Sequence, residues 1–205
     1  MIDVATVNQL TELVDADRLA EANLLLARFA HPEVEPDRVM ARLDDLAARV
    51  EGTTHLALRR VISIQEGIGG NVDDYYHPDN HFLDTVLATR RGIPLSLSLL
   101  WIEVGRRAGI EMEGVGMPGH FLVYAGGQLV DPFHYGEAIG FEEAAALVAD
   151  ALGGQPRADR SWFQPVGSLQ IVRRMLLNLE SLYVDRAEPQ HLEWVSTCLE
   201  GLAVR

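Results

Sequence analysis

Hydrophobic positions in the first third of the chain recur at steps of three and four residues, the spacing of one face of an α-helix. Pro36 interrupts this pattern and suits the first turn of a second helix. Thr53 or Thr54 is the expected N-cap of a third helix, which should stop at Gly67. The pattern predicts three helices, whose inward residues are Leu10, Leu13, Val14, Leu19, Ala22, Leu25 and Leu26 in the first, Val39, Leu43, Leu46 and Val50 in the second, and Leu56, Leu58, Val61 and Ile64 in the third.

A polar, aromatic and turn-rich segment occupies residues 69–82, and a short helix is expected at 83–89. Pro94 disfavours helical angles at the residue before it and fits the first position of the next helix. From Pro94 to Gly109 the chain is apolar on nearly every side. The pattern therefore predicts a buried central helix.

A β signature follows the central helix. Short extended runs at 112–116, 119–125 and 128–133 are predicted strands, and the two glycines between the last two runs form a hairpin turn. With this turn Ala125 faces Gln128, and residues at even offsets share a face. His120 and Asp131 then project on the same side as diagonal neighbours. A carboxylate beside an imidazole is the base half of many nucleophilic sites, but it also occurs as a purely structural pair.

The remaining chain returns to a helical pattern at 141–152, 169–184 and 189–203, with a link containing Gly and Pro before Gln164. The last two helices are expected to form a hairpin. The predicted fold class is α+β, with a buried central helix and a small antiparallel sheet between helical terminal segments.

Three segments are predicted within one compact domain. They are an N-terminal helical segment at 1–68, a core at 69–140 and a C-terminal helical segment at 141–205. A chain of 205 residues with 48% hydrophobic content can bury one sizeable core.

Composition narrows the possible functions. The chain has no run of apolar residues long enough to span a membrane and begins without a basic segment before an apolar one, so we expect a soluble, cytoplasmic protein. All 17 basic residues are Arg, which excludes a Lys base or Schiff base. The net charge of −13 argues against nucleic acid and anionic membranes as partners. Cys198 is the single cysteine, which excludes an internal disulfide, and we expect it to be buried as a small apolar residue.

The segment from 74 to 133 resembles the transglutaminase-like superfamily, in its bacterial SirB-type branch. The motifs RRGIP, PGHFLV and LVDPF carry the resemblance together. It extends to ARFAHPEVEPDRVMARLDDLA, similar to that branch's N-terminal helices, and to IVRRMLLNLESLY, similar to its tetratricopeptide-like tail. The resemblance implies a papain-like core in which a Cys at the start of the central helix, a His and an Asp form a triad for acyl transfer or amide hydrolysis.

Within this resemblance His120 and Asp131 take the His and Asp positions, in agreement with the register of the hairpin. Pro94 takes the position of the nucleophile, and proline has no nucleophilic atom. Ser98 lies about 40° around the helix from Pro94 and one turn deeper, whereas Ser96 lies roughly 200° away. Ser98 is a candidate substitute that would depend on His120 as its base, but small residues that ease packing explain both serines.

Three further residues are candidates for binding. By the resemblance, Tyr76 and Asn80 belong to a YY-x-P-x-N element that lines the mouth of the cleft, although Asn80 is also a candidate cap for the helix after it. Arg91 is a candidate to hold a substrate carboxylate, the alternative being an ion pair with an acidic neighbour such as Asp84.

His77 and His81 are four residues apart and with His120 suggest a metal, but Pro78 makes a regular helix across them doubtful. We therefore predict neither a metal site nor a cofactor.

Two functions remain open from the sequence. The favoured one is a non-catalytic transglutaminase-like domain whose His–Asp cleft is a binding or regulatory surface for a protein or peptide. The alternative is a hydrolase or acyltransferase in which His120, held by Asp131, activates water or Ser98. The oligomeric state and the partner are not specified by the sequence.

Overall fold

A computed structural model describes residues 3–154 and 159–203. In its N-terminal part the chain forms four helices: α1 (Val4–Asp15), α2 (Leu19–Ala30), α3 (Pro36–Ala48) and α4 (His55–Arg59). The last continues directly into a π-helical turn, Arg60–Gln65. Pro36 is the first residue of α3 and Thr54 precedes α4, as the pattern predicts.

Two details of this region differ from the prediction. The first expected helix is two helices, because the chain reverses between α1 and α2 at Asp17, which has a φ of 55°. Leu56 and Ile64 were expected inside but are 60% and 67% exposed. The π-helical turn explains Ile64, since its hydrogen bonds span five residues and the 3.6-residue period does not continue through it. Leu56 lies in α4, two residues and about 200° around the helix from the buried Leu58, so the two side chains cannot share a face.

The middle of the chain contains β1 (Gly69–Gly70), a 3₁₀ turn at Pro78–His81, α5 (Leu83–Thr89), β2 (Arg91–Gly92) and α6 (Pro94–Arg107). The two short strands pair in parallel, a pairing that the sequence pattern does not predict. Helix α6 begins at Pro94 and is buried along nearly its whole length, as expected of a central helix.

A four-stranded antiparallel sheet follows, in the order β3 (Glu113–Met117), β4 (His120–Ala125), β5 (Gln128–Asp131) and β6 (Glu137–Ile139). Gly126 and Gly127 both have positive φ, at 55° and 88°, the geometry of a tight hairpin turn. Ala125 pairs with Gln128, which is the predicted register. Strand β6 was not predicted. The structure thus confirms the α+β class.

The C-terminal part contains α7 (Phe141–Ala151), a 3₁₀ turn at Arg160–Phe163, α8 (Ser168–Asp185) and α9 (Pro189–Ala203). Residues 155–158 of the predicted link lie outside the described residues. None of the helices in 3–154 and 159–203 has the length and hydropathy needed to cross a bilayer.

The sheet lies between two hydrophobic clusters. Phe121, Val123 and Val130 belong to the main core together with α6 and residues of α1, α2, α8 and α9. Val115 and Leu122 belong to a smaller cluster that α7 covers. Because α6 and β4 share the main core, the start of α6 and the start of β4 are held close together, and this is where the candidate site lies.

Candidate functional site

His120 and Asp131 lie on adjacent strands of the sheet, at the first residue of β4 and the last residue of β5. Nε2 of His120 is 2.8 Å from Oδ2 of Asp131. The Asp131 side chain is 1% exposed and that of His120 is 11% exposed. The structure therefore brings together the two residues that the hairpin register placed on one face.

Asp131 accepts more hydrogen bonds than the sequence suggests. Oδ1 accepts from the backbone N–H groups of Phe133 and His134, at 2.9 and 3.3 Å. Oδ2 is also 2.8 Å from Nδ1 of His134, a residue the sequence analysis missed. Burial raises the pKa of Asp131, but the hydrogen bonds and charges of the two histidines outweigh it and hold the pKa below its ordinary value. An ionised, buried carboxylate thus fixes both imidazoles.

The His120 ring has a defined orientation. Its Nε2 faces Asp131, and the edge of its ring meets Phe133 with the ring centroids 6.0 Å apart. Phe133 is in turn held close to Gly70, where a Cβ atom would come within 2.7 Å of the phenyl ring. Among the described residues Nδ1 of His120 has no hydrogen-bond partner. This leaves Nδ1 as the ring nitrogen able to act on another group.

Pro94 and His120 line the same recess, a cavity of about 30 Å³. Ile93 and Leu95 also line it, and Pro94 is buried. The recess has room for about one or two water molecules. At this end of α6 the ring of Pro94 offers carbon atoms only, so the position beside the histidine carries no nucleophile.

Both serines of α6 contact backbone groups. Oγ of Ser96 donates to the carbonyl of Asn80 at 2.5 Å and accepts from the backbone N–H of Ile93 at 3.1 Å. Oγ of Ser98 is fully buried and lies 3.5 Å from the carbonyl oxygen of Phe121. Both serines are in the described part of the chain, and neither is hydrogen-bonded to His120. The contacts of Ser98 fit the packing interpretation given above.

A larger pocket of about 250 Å³ adjoins the recess, and we call the two together the cleft. The lining residues common to both are Tyr75, Ile93, Gly119, Arg174 and Asn178. Tyr76, predicted to lie at the mouth, lines the larger pocket and is 72% exposed. Arg174 and Asn178 come from α8 and were not among the sequence candidates.

The other two predicted binding residues have internal roles. Asn80 is 3% exposed; its amide nitrogen donates to the carbonyls of Asp74 and Tyr75, and its Oδ1 accepts from Asn71. Both of its N–H groups are therefore used in folding the 71–75 loop, and it does not cap α5. Nη1 of Arg91 donates to the carbonyls of Gly67 and Arg90, which holds the β1–β2 connection, and Asp84 pairs with His31 instead.

The structure separates the histidines that were considered for a metal. His81 is buried and its Nδ1 is 2.9 Å from the carbonyl of Pro78, while His77 accepts from the backbone N–H of Asp79. A different group, His120, Asp131 and His134, offers three ligand atoms within 4.8 Å of one another. Two imidazoles and a carboxylate suit Zn²⁺, although here the same atoms satisfy one another through hydrogen bonds.

Cys198 does not line the cleft. It lies in α9, is fully buried in the main core, and burial raises the pKa of its thiol to about 12. A thiol of this kind is unreactive near neutral pH.

A family model described as the transglutaminase-like superfamily matches residues 34–177. This range contains His120, Asp131 and every lining residue of the recess except Asn178, which follows it directly. No solved structure matches the chain significantly.

The chain is also similar to several named proteins. A UPF0162 protein of Xylella fastidiosa (strain 9a5c) is 35% identical over 183 residues, which cover 82% of this chain and 65% of the relative. A UPF0162 protein of Vibrio cholerae is 28% identical over 188 residues, 85% of this chain and 69% of the relative. F-box only protein 21 of Mus musculus is 34% identical over 133 residues, 62% of this chain and 21% of that protein. The chain thus spans slightly less than two thirds of the length of the Xylella relative.

Proposed function

The chain belongs to the transglutaminase-like superfamily, and we propose that it is a non-catalytic member whose cleft is a binding or regulatory surface. The observation that carries the proposal is Pro94 at the start of α6, in the same recess as the His120–Asp131 pair. Covalent catalysis in this arrangement needs a side chain with a nucleophilic atom next to the histidine. Proline supplies none.

The packing around the recess supports the same conclusion. Ser96 is engaged by two backbone groups and Ser98 is fully buried beside a carbonyl, so neither hydroxyl is free to attack a ligand. The His–Asp pair is then retained for what it does without a nucleophile: it presents an oriented imidazole nitrogen at the wall of the cleft. We expect a protein or peptide ligand at this surface.

A second candidate function is hydrolysis by a water molecule that His120 activates. Its supporting observation is Nδ1 of His120, which is unpartnered among the described residues and borders a recess with room for water. In this mechanism Nδ1 would take a proton from water while Asp131 stabilises the charged ring.

Hydrolysis of p-nitrophenyl acetate distinguishes the two functions, with His120→Ala compared against His55→Ala, a histidine at the start of α4. The non-catalytic hypothesis predicts no larger loss of rate in His120→Ala than in His55→Ala, since accessible imidazoles then contribute alike to the hydrolysis. A rate that falls only in His120→Ala, with the thermal midpoint nearly unchanged, would overturn the proposal in favour of the hydrolase.

A further inference from the structure

We propose that the cleft binds the C-terminal carboxylate of a peptide, held by Arg174 and Asn178 beside His120. This inference rests on the proposed function and specifies its ligand. It comes from a polar stripe on α8 that the His–Asp pair does not use. Arg174, Asn178, Ser181 and Asp185 follow one another at steps of four, three and four residues and all line the larger pocket of the cleft. This spacing places them on one face of the helix.

Arg174 is an arginine without a protein partner. It is half-buried, and in residues 3–154 and 159–203 no group forms an ion pair or hydrogen bond with its guanidinium. Among the described residues Arg28, Arg90 and Arg173 also form no ion pair, but they are exposed, whereas Arg174 is half-buried at the wall of a pocket. A guanidinium in this position matches a ligand carboxylate, which it can bind through two parallel hydrogen bonds.

The guanidinium of Arg174 lies close to the residues where the recess and the larger pocket meet. Burial and the neighbouring Tyr76 raise the pKa of Tyr75, and the charge of Arg174 opposes this rise, which places the guanidinium near the Tyr75 ring. Arg174 and Asn178 also line the recess with His120. A carboxylate between these two side chains would therefore lie next to the imidazole. The amide N–H of Asn178 would supply a further donor.

The opposite charge lies at the other end of the stripe. Asp185 is eleven residues from Arg174, which corresponds to about 16 Å along the helix axis. It is too far away to neutralise the guanidinium, and it disfavours a second anion at its own end of the pocket. The charge distribution therefore fits a ligand with one carboxylate at one end.

His81 supplies an independent sign that the pocket receives a ligand. It is 2% exposed, lines the larger pocket, and its Nε2 is buried without a hydrogen-bond partner. Nδ1 must carry the proton, because it lies 2.9 Å from the Pro78 carbonyl and a carbonyl only accepts. Burial lowers the pKa of His81 to about 4, so Nε2 is an unpaired acceptor at neutral pH. A backbone N–H of a bound peptide is a donor that such an acceptor can bind.

The pocket volume of about 250 Å³ is just below the roughly 300–1,000 Å³ typical of sites for small molecules. It suits the last residues of a chain better than a large cofactor. A chain end provides both groups that the walls require, namely a carboxylate for Arg174 and backbone N–H groups for His81.

The test compares two ligands, N-acetyl-Ala-Ala with a free carboxylate and the same peptide as its C-terminal amide. Each is titrated into the full chain, and binding is followed by the NMR signals of His120 and of the arginine side chains. We expect saturable binding of the acid, with binding of the amide weaker by about tenfold or more. Arg174→Gln should weaken binding of the acid by a similar factor. Arg173→Gln is the matched control, since it removes the same charge from the adjacent, exposed position on α8.

Asn178→Asp is a second variant of nearly equal size, which keeps the test decisive if Arg174→Gln does not fold. Its added negative charge should abolish binding of the acid. Equal binding of acid and amide, or equal effects of Arg174→Gln and Arg173→Gln, would overturn the inference. Hydrolysis of p-nitrophenyl acetate is a separate readout, so the loss of carboxylate binding leaves the non-catalytic assignment standing. A His120-dependent hydrolysis would refute that assignment without affecting the carboxylate site.

Discussion

Nε2 of His120 and Oδ2 of Asp131 lie 2.8 Å apart on neighbouring strands, and the same carboxylate oxygen is 2.8 Å from Nδ1 of His134. The other oxygen of Asp131 accepts two backbone N–H groups from the turn after β5. One buried carboxylate therefore fixes the cleft histidine, the exposed histidine and the turn between β5 and β6. Its role in stability is distinct from any role in catalysis.

Asp131→Asn should lower the free energy of unfolding by about 2–4 kcal/mol, because an amide cannot accept from all four donors and places its NH₂ group beside two of them. Glu137→Gln is the control. Glu137 is the backbone partner of Asp131 in the register of β5 and β6, and its side chain is 65% exposed. Urea denaturation of both variants measures the difference. Equal stabilities would show that the network around Asp131 contributes little.

The two serines of α6 should respond differently to substitution by alanine. Ser96→Ala removes a hydroxyl that links the Asn80 carbonyl to the backbone N–H of Ile93, leaving two buried groups unpaired, and should cost about 1–3 kcal/mol. Ser98→Ala should cost less than about 1 kcal/mol, because its contact with the Phe121 carbonyl is 3.5 Å long. Thermal unfolding of the two variants measures both losses of stability. A larger loss in Ser98→Ala would contradict the packing roles assigned to them.

His31 should make stability fall at alkaline pH. Its Nδ1 is 2.7 Å from Asp84 and its Nε2 is 3.1 Å from Asp79. The hydrogen bond to Asp84 raises the pKa of His31 from 6.5 to about 9, with burial acting in the opposite direction. Because the folded pKa is the higher one, the stabilisation is complete below pH 6.5 and is lost as the pH rises to about 9.

We expect this loss to be on the order of 1–2 kcal/mol after allowance for solvent screening. His31→Gln should remove this part of the pH dependence, whereas His55→Gln should retain it. Chemical denaturation at pH values across the interval provides the measurement. A profile that His31→Gln leaves unchanged would contradict the assigned ion pairs.

His81 should make stability fall at acidic pH, in the opposite direction to the effect of His31. Burial lowers its pKa from 6.5 to about 4, so the unfolded chain takes up a proton at a pH where the folded chain does not. The stabilisation is present above pH 6.5 and is lost as the pH falls to about 4, by up to about 3 kcal/mol. Carboxylates titrate in the same range, so the difference between the wild type and His81→Asn isolates this contribution. No difference in slope would show that His81 is not buried in its neutral form.

The parts of the fold that the sequence predicts are those with local causes. Two glycines fixed the hairpin turn and its register, and Pro94 fixed the start of α6. The break at Asp17 and the π-helical turn after Arg59 were missed because the apolar pattern continues through both. Strand β6 is only three residues long and carries no clear period of its own.

The candidate site could be predicted only where a pair of adjacent strands defines it. His120 and Asp131 followed from the hairpin, but the contribution of Arg174 and Asn178 depends on how α8 lies against residues that are about fifty positions or more away. On α8 alone they look like an ordinary solvated face. The hydrogen bonds of Asn80 and Arg91 to backbone carbonyls in the 67–75 region could not be predicted either, because they depend on how the loops fold against each other. The catalytic roles of His120, Asp131 and Ser98 and the binding roles of Tyr76, Asn80 and Arg91 stay predictions.

The proposed function depends on the absence of a nucleophile at position 94, and a thiol introduced there tests it. Pro94→Cys should be tolerated, because the N–H that it adds at the first position of α6 needs no helical partner. The buried Cys198 contributes almost no background to thiol labelling. The measurement is the rate of labelling by iodoacetamide, located by mass spectrometry.

We predict that the wild type remains unlabelled and that Pro94→Cys is labelled at position 94, about tenfold or more faster than the same thiol in the double variant Pro94→Cys, His120→Ala. This result would show that His120 is poised to activate a nucleophile that the natural chain does not have. Equal labelling rates in the single and double variants would contradict the account, because Pro94 would then not stand at the position that His120 serves.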